Sequence, residues 1–203
     1  VPVDAPSGTA ELRLPDGTVL GRWAVASAPW LSSIPPTAPK ESNGDYPGIG
    51  QLVGLVTAGD GAPTPAILDR VAPGSPFTLT LAWLAGMASG PRDADGRQAT
   101  TRPDLTVFVQ LLDANGRVAA QSDARPGGGA RPTTGWRDGE VILDVHTLRW
   151  NEGDEGGASA PPGPPFVLIA GLYDAASGTR ARTADGTDAV VLARVAGMEA
   201  GER

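Results

Sequence analysis

The sequence predicts an all-β fold, an antiparallel two-sheet β-sandwich of immunoglobulin-like or jelly-roll-like type with long Gly/Pro-rich loops. Three observations predict it. Thr106 to Leu112 is a β-branched and aromatic run, followed by Asp113-Ala114-Asn115-Gly116 and then by Arg117 to Gln121. Asn and Gly tolerate positive φ at low cost, so this stretch reads as a hairpin. Phe77 to Leu84 alternates: Phe77, Leu79, Leu81 and Trp83 share one face, and Thr78, Thr80, Ala82 and Leu84 the other. That period of two marks a half-buried strand and puts Trp83 in the core. Finally, roughly eight to ten short strand-like runs follow one another with no amphipathic helix of useful length, so helix should stay below about a tenth of the chain.

Taken in order, residues 1–48 form an N-terminal hairpin and a proline-rich segment packed on the body. Glu11 to Leu14 and Thr18 to Val25 flank a Pro15-Asp16-Gly17 turn. Residues 26–48 carry Pro29, Pro35, Pro36, Pro39 and Pro47, an extended surface connection in which Trp30 or Tyr46 can plug the core or stand exposed. The sandwich occupies 49–196. Its strands are expected at Gln51 to Thr57, Ala66 to Val71, 77–84, the central hairpin, Glu140 to Leu148, the near-continuous apolar run Pro165 to Tyr173, and Ala189 to Val195. Loops at 86–103, 123–139 and 151–165 separate them, the second containing Gly127-Gly128-Gly129. Residues 197–203 are a fraying tail. The expected core includes Trp83, Phe77, Leu79, Val107, Val109, Leu111, Val167, Ile169 and Leu172.

Composition narrows the function classes. The net charge is -7 and lysine occurs only at Lys40, which argues against nucleic acid and against a polybasic lipid contact. There is no cysteine, so a thiolate nucleophile, a disulfide frame and a Cys-ligated zinc site are excluded. No apolar run reaches about 18 residues, so no helical membrane insertion is expected of this chain itself. The chain starts at Val1 without a signal-peptide pattern, which reads as a mature chain or an excised fragment.

An ordered series of motifs carries a resemblance. It runs Phe77-Thr-Leu-Thr-Leu-Ala-Trp83, Thr106-Val-Phe-Val-Gln-Leu-Leu-Asp-Ala-Asn-Gly-Arg-Val118, Gln121-Ser-Asp123, Pro132-Thr-Thr-Gly-Trp136-Arg-Asp-Gly-Glu140, and Ile169-Ala-Gly-Leu-Tyr-Asp174 with Thr179. Over residues 49–196 the chain resembles the C-terminal extracytoplasmic β-sandwich module of bacterial integral-membrane glycosyltransferases of the dolichyl-phosphate-mannose type. In that family the chemistry belongs to the membrane-embedded part, with acidic residues in extracytoplasmic loops and a polyprenyl-phosphate sugar donor. No catalytic residue carries over. The resemblance implies a non-catalytic accessory domain outside the cytoplasm, tethered through an upstream region, whose partner is the membrane-embedded part or a glycan. The inserts at 86–103 and 151–165 and the first 48 residues depart from the pattern and leave a free-standing, secreted carbohydrate- or cell-wall-binding protein as the alternative.

No residue set reads as a catalytic site. His146 is the single histidine. Asp144 precedes it by two, so both can share a strand face, yet no serine context of the GxSxG kind accompanies them, and His146 reads as a surface or partly buried strand residue. A cleft joining His146 to a carboxylate and a hydroxyl would instead favour a hydrolase. Asp113-x-Asn115-Gly116 and Asp93-x-Asp95-Gly96 read as turns rather than calcium loops, because a calcium site needs six to eight oxygens. Gly127-Gly128-Gly129 lacks the Lys-Ser/Thr of a phosphate loop and reads as a flexible loop. No metal and no cofactor is expected. Trp136 reads as a corner tryptophan whose N–H meets a loop carbonyl; the ligand-binding reading makes it a sugar-stacking platform, with Trp30 or Trp150.

Overall fold

The computed structural model describes residues 8–25, 31–57, 75–86, 102–151 and 165–195. The strand expected at 66–71, Trp30, Asp93-x-Asp95-Gly96 and most of the loops at 86–103 and 151–165 lie outside the described residues. Contacts divide the chain into two compact units, Val1–Leu31 and Ser32–Arg203.

The smaller unit holds an antiparallel hairpin of β1 (Gly8–Arg13) and β2 (Val19–Val25). Its turn is the Pro-Asp-Gly of the sequence. Gly17 takes a φ of 87°, and Asp16 Oδ1 accepts the Thr18 N–H at 2.9 Å, which holds that carboxyl below its usual range. Glu11 sits between Arg13 and Arg22 as a cross-strand charge cluster.

The larger unit contains β3 (Thr37–Ala38), β4 (Asp45–Tyr46), β5 (Gly50–Val56), β6 (Phe77–Ala85), β7 (Thr106–Leu112), β8 (Val118–Ala124), β9 (Val141–Trp150), β10 (Phe166–Tyr173) and β11 (Val190–Val195). Residues 32–48, expected with the hairpin, thus belong to this unit, because β3 and β4 both pair with β5. Every pairing is antiparallel, in the order β11-β10-β7-β8-β9-β6-β5-β3, and the sheet curls into a half-barrel around its concave face. The only helical turns among the described residues are the 3-10 turns Pro126–Gly129 and Thr133–Gly135.

Two joints shape this sheet. Between β8 and β9 the ladder is reduced to Ala120↔Trp150 and Gln121↔Arg149, whereas β6 and β9 pair continuously from Phe77↔Leu148 to Leu84↔Val141. The strands therefore part beyond Gln121. At the ends of the strand order, the segment between β3 and β4 reaches across to β11. Glu41 N–H donates to the Val191 carbonyl at 3.0 Å, the Val191 N–H donates to Ser42 Oγ at 2.8 Å, and Arg194 pairs with Glu41 at 2.7 Å. That cover satisfies an edge that would otherwise offer free backbone groups.

The core lies on the concave face. Leu81, Trp83, Val107, Val109, Leu168 and Leu172 are fully sealed there, and Tyr46 plugs it from the proline-rich segment. Register corrects part of the expected core. On β10 it is Leu168, Ala170 and Leu172 that point inward; Ile169 is buried as expected but on the other face, opposite Gln110, and Val167, opposite Leu112, is only half-buried. Phe77 is only half-buried and packs beside Trp150 at the rim of the core.

Strand β9 runs against its own polarity. Ile142, Asp144, His146 and Leu148 stand opposite Trp83, Leu81, Leu79 and Phe77 and point inward, while Leu143 and Val145 face solvent at 38% and 57% exposure. His146 is buried, which corrects its reading as a surface or partly buried residue. The glycine run is also more ordered than a flexible loop. Gly127, Gly128 and Gly129 hold φ of 63°, 62° and 91°, a region side-chain-bearing residues seldom adopt, and Arg131 N–H closes onto the Pro126 carbonyl at 3.0 Å.

Candidate functional site

Where β8 and β9 part, a line of polar side chains takes over from the ladder. His146 Nε2 lies 2.9 Å from Asp144 Oδ2, and His146 Nδ1 lies 3.2 Å from Ser122 Oγ. The other Asp144 oxygen accepts the Gly127 N–H at 2.8 Å. Both the Asp144 and the His146 side chains are fully sealed, while Ser122 is half-buried. A carboxylate only accepts, so a neutral imidazole in this setting donates from Nε2 to Asp144 and turns its Nδ1 lone pair to the serine hydroxyl. The connection carboxylate–imidazole–hydroxyl is the one a nucleophile, base and orienting acid require.

The convex face of the sheet carries two grooves that meet at Asp123. The first, of about 220 Å³, is walled by Phe108, Gln110, Tyr173 and Arg180. The Arg180 guanidinium lies 4.2 Å over the Phe108 ring and donates to Gln110 Oε1 at 3.1 Å; Asp188 lies further off at 3.7 Å. Tyr173 donates to Asp123 Oδ2 at 3.4 Å, and partial burial, with the Asp123 charge beside it, pushes its ionisation up. Phe108 fits because its partner across β10 is Gly171: a Cβ there would fall 2.5 Å from the ring. The second groove, of about 370 Å³, lies over the β8–β9 joint and is walled by Gln121, Ser122, Asp123, Thr147, Arg149 and Asn151. Ser122 thus connects this groove to the sealed His146.

Of the tryptophans named from the sequence, Trp30 lies outside the described residues, and Trp136 and Trp150 do not share a surface. Trp136 is only 3% exposed, packs 5.9 Å from Trp83, and donates its indole N–H to the Arg131 carbonyl at 2.9 Å. Trp150 is half-buried between Phe77 and Phe166 and donates to the Ser75 carbonyl at 2.8 Å. The Trp136 corner is riveted by Arg102, a buried cation whose guanidinium bonds the carbonyls of Ile49, Trp136 and Gly86 and pairs with Asp138 at 2.5 Å. Glu140, equally buried, holds Arg131 and the Arg137 N–H. Arg102 carried no local sequence signal, and Glu140 stood only as the end of the Pro132-to-Glu140 motif with no sign of its burial.

Asp113 acts as a turn residue: its Oδ1 accepts the N–H of Asn115 at 2.8 Å and of Arg117 at 2.9 Å. Among the described residues no three His, Cys, Asp or Glu side chains gather as a metal set, and no helix is long and apolar enough to cross a membrane. No family model, no curated protein and no solved structure matches this chain.

Proposed function

We propose that the chain is an extracytoplasmic accessory β-module of a membrane glycosyltransferase-like protein, binding a glycan or partner and carrying no glycosyl-transfer or glycosidase chemistry of its own. The observation that favours it is the convex face of β10, β7, β8 and β9. Its two grooves place a planar cation, a carboxylate, a phenol and amides side by side around Asp123. A ligand rich in hydroxyls needs donors and acceptors in that mixture, whereas a polyanion needs a basic footprint that a chain of net charge -7 does not supply. The two halves of the curled sheet, whose β8–β9 ladder keeps only two residue pairs, are read as the two layers of the sandwich expected from the sequence.

Titration of the chain with soluble cell-envelope oligosaccharides, followed by NMR or calorimetry, tests the binding role. Saturable binding lost in Asp123→Ala or Tyr173→Ala, with melting unchanged, supports it. No binding to any saccharide, or binding indifferent to both changes, removes it. The membrane context is tested separately. Its gene should encode several segments of about 20 apolar residues upstream of Val1; a cleavable signal alone would favour the secreted carbohydrate- or cell-wall-binding reading, which the same face suits.

A further inference from the structure

We propose that Ser122 is an activated nucleophile and that the β8–β9 joint is an acyl-ester-hydrolysing centre, with His146 as base and Asp144 as the positioning acid. Burial falls along the line in the order such a centre needs. Asp144 and His146 are sealed, and Ser122 stands half-buried in the wall of an open groove of about 370 Å³. The imidazole cannot turn away, because Asp144 holds Nε2 at 2.9 Å and is itself held by the Gly127 N–H. That anchor is built by three glycines at positive φ, a conformation with no role in sheet pairing. The proton of Ser122 Oγ therefore points at Nδ1, 3.2 Å away. A serine serving only to fill the joint would need no groove before it and no oriented base behind it.

The chemistry balances with water as the only co-reactant. Ser122 Oγ attacks the ester carbonyl carbon as its proton passes to His146 Nδ1. The carbon–oxygen bond to the alcohol breaks, and that oxygen takes the proton back from His146. Water then attacks the acyl-serine, giving its proton to Nδ1. Ser122 Oγ leaves, is reprotonated, and the carboxylic acid departs. Arg149 and Asn151 line the same groove, and the guanidinium adds positive charge to a site where a tetrahedral oxyanion would form. The ligand class is a small acyl ester of an alcohol; the centre opens into the second groove of the same convex face, and labelling of Ser122 is read with no saccharide present.

The test uses the whole chain and a fluorophosphonate probe, which phosphonylates serines only when a base activates them. The expected result is one adduct, mapped to Ser122, absent from Ser122→Ala and from the urea-unfolded chain. His146→Gln should slow labelling by about 100-fold or more, the usual worth of a general base, and p-nitrophenyl acetate should turn over faster with the native chain than with Ser122→Ala. If His146→Gln does not fold, the native chain against Ser122→Ala decides. No adduct on folded protein, an adduct elsewhere, labelling as fast in folded His146→Gln as in the native chain, or turnover equal to that of Ser122→Ala overturns the proposal.

Discussion

Asp144 Oδ2 and His146 Nε2 meet at 2.9 Å on the inward face of one strand, where alternation would ordinarily place two apolar side chains. A buried ionisable pair is tolerated when its remaining hydrogen-bonding capacity is met, and here Gly127 and Ser122 meet it. The pair lies beside the weakest joint of the sheet. It ties β9 to β8 and to the 3-10 turn where backbone pairing has stopped.

Asp144→Asn should therefore destabilise the fold by about 1–3 kcal/mol, the cost of leaving a buried donor without an acceptor. The amide oxygen can keep Gly127 or His146, not both, and its NH2 opposes the imidazole N–H. The double change Asp144→Leu with His146→Leu should cost less than the two single changes added, since replacing both partners leaves nothing unpaired. Urea unfolding of the three variants measures this. An additive double mutant would show that the two side chains stabilise independently.

Arg102→Met should be among the most damaging single changes. Its guanidinium satisfies three backbone carbonyls from different segments and one carboxylate, and its side chain is 2% exposed. Hydrogen bonds to charged groups contribute about 1.5–3 kcal/mol each, so a loss of at least about 3 kcal/mol is expected. Arg102→Lys should recover little, because an ammonium cannot span the fork. A melting point within a degree or two of native for either variant would disprove the rivet.

Gly171→Ala probes the packing beneath the first groove. The new Cβ would meet the Phe108 ring at 2.5 Å and the Asp188 carbonyl at 3.0 Å. The ring must shift toward Arg180, so stability should fall by about 1–3 kcal/mol, as overpacking does. Saccharide binding on the convex face should weaken in the same variant. Unchanged stability and binding would mean that the ring moves freely.

The β class was legible because local signals carry it. The Asp-Ala-Asn-Gly hairpin forms as read, with β7 and β8 on either side, and Phe77–Ala85 is a strand with Trp83 inside. The fate of β9 was not legible. Val141, Leu143 and Val145 make one face as apolar as Ile142, Asp144 and His146 make the other mixed, and a period of two is symmetric between faces. Only register against β6 selects the polar face for the interior. The Ser122–His146 meeting was hidden for a related reason: it depends on β8 and β9 parting after two pairs, which is a property of sheet curvature rather than of either segment. The spacing of Asp144 and His146 marks a possible same-face pair, whereas Ser122 stands only inside the Gln121-Ser-Asp123 motif, which marks no nucleophile.

Tyr46 offers a test in which removing a polar group helps. Its ring lies 6.0 Å from Trp83 in the sealed core, and among the described residues its hydroxyl has no hydrogen-bond partner. Burial raises its ionisation far above that of a free tyrosine, with the Asp188 charge adding to the rise. A raised value in the folded state means that the neutral phenol is favoured by folding. The contribution is then complete below the unfolded tyrosine pKa of about 10 and is lost as pH climbs from there toward the folded value. Tyr46→Phe keeps the ring and deletes both liabilities. At pH 7 it should leave stability unchanged or raise it by about 1 kcal/mol, the order of the cost of an unpaired buried hydroxyl. Above about pH 10 the native chain should lose up to about 1.4 kcal/mol per pH unit relative to the variant; Tyr173 ionises in both and cancels from the difference. Urea unfolding of the pair at neutral and at several alkaline pH values measures the gap. A gap that stays flat with pH would show that the Tyr46 phenol reaches solvent in the folded protein, and a variant clearly less stable at pH 7 would show that its hydroxyl is hydrogen-bonded there.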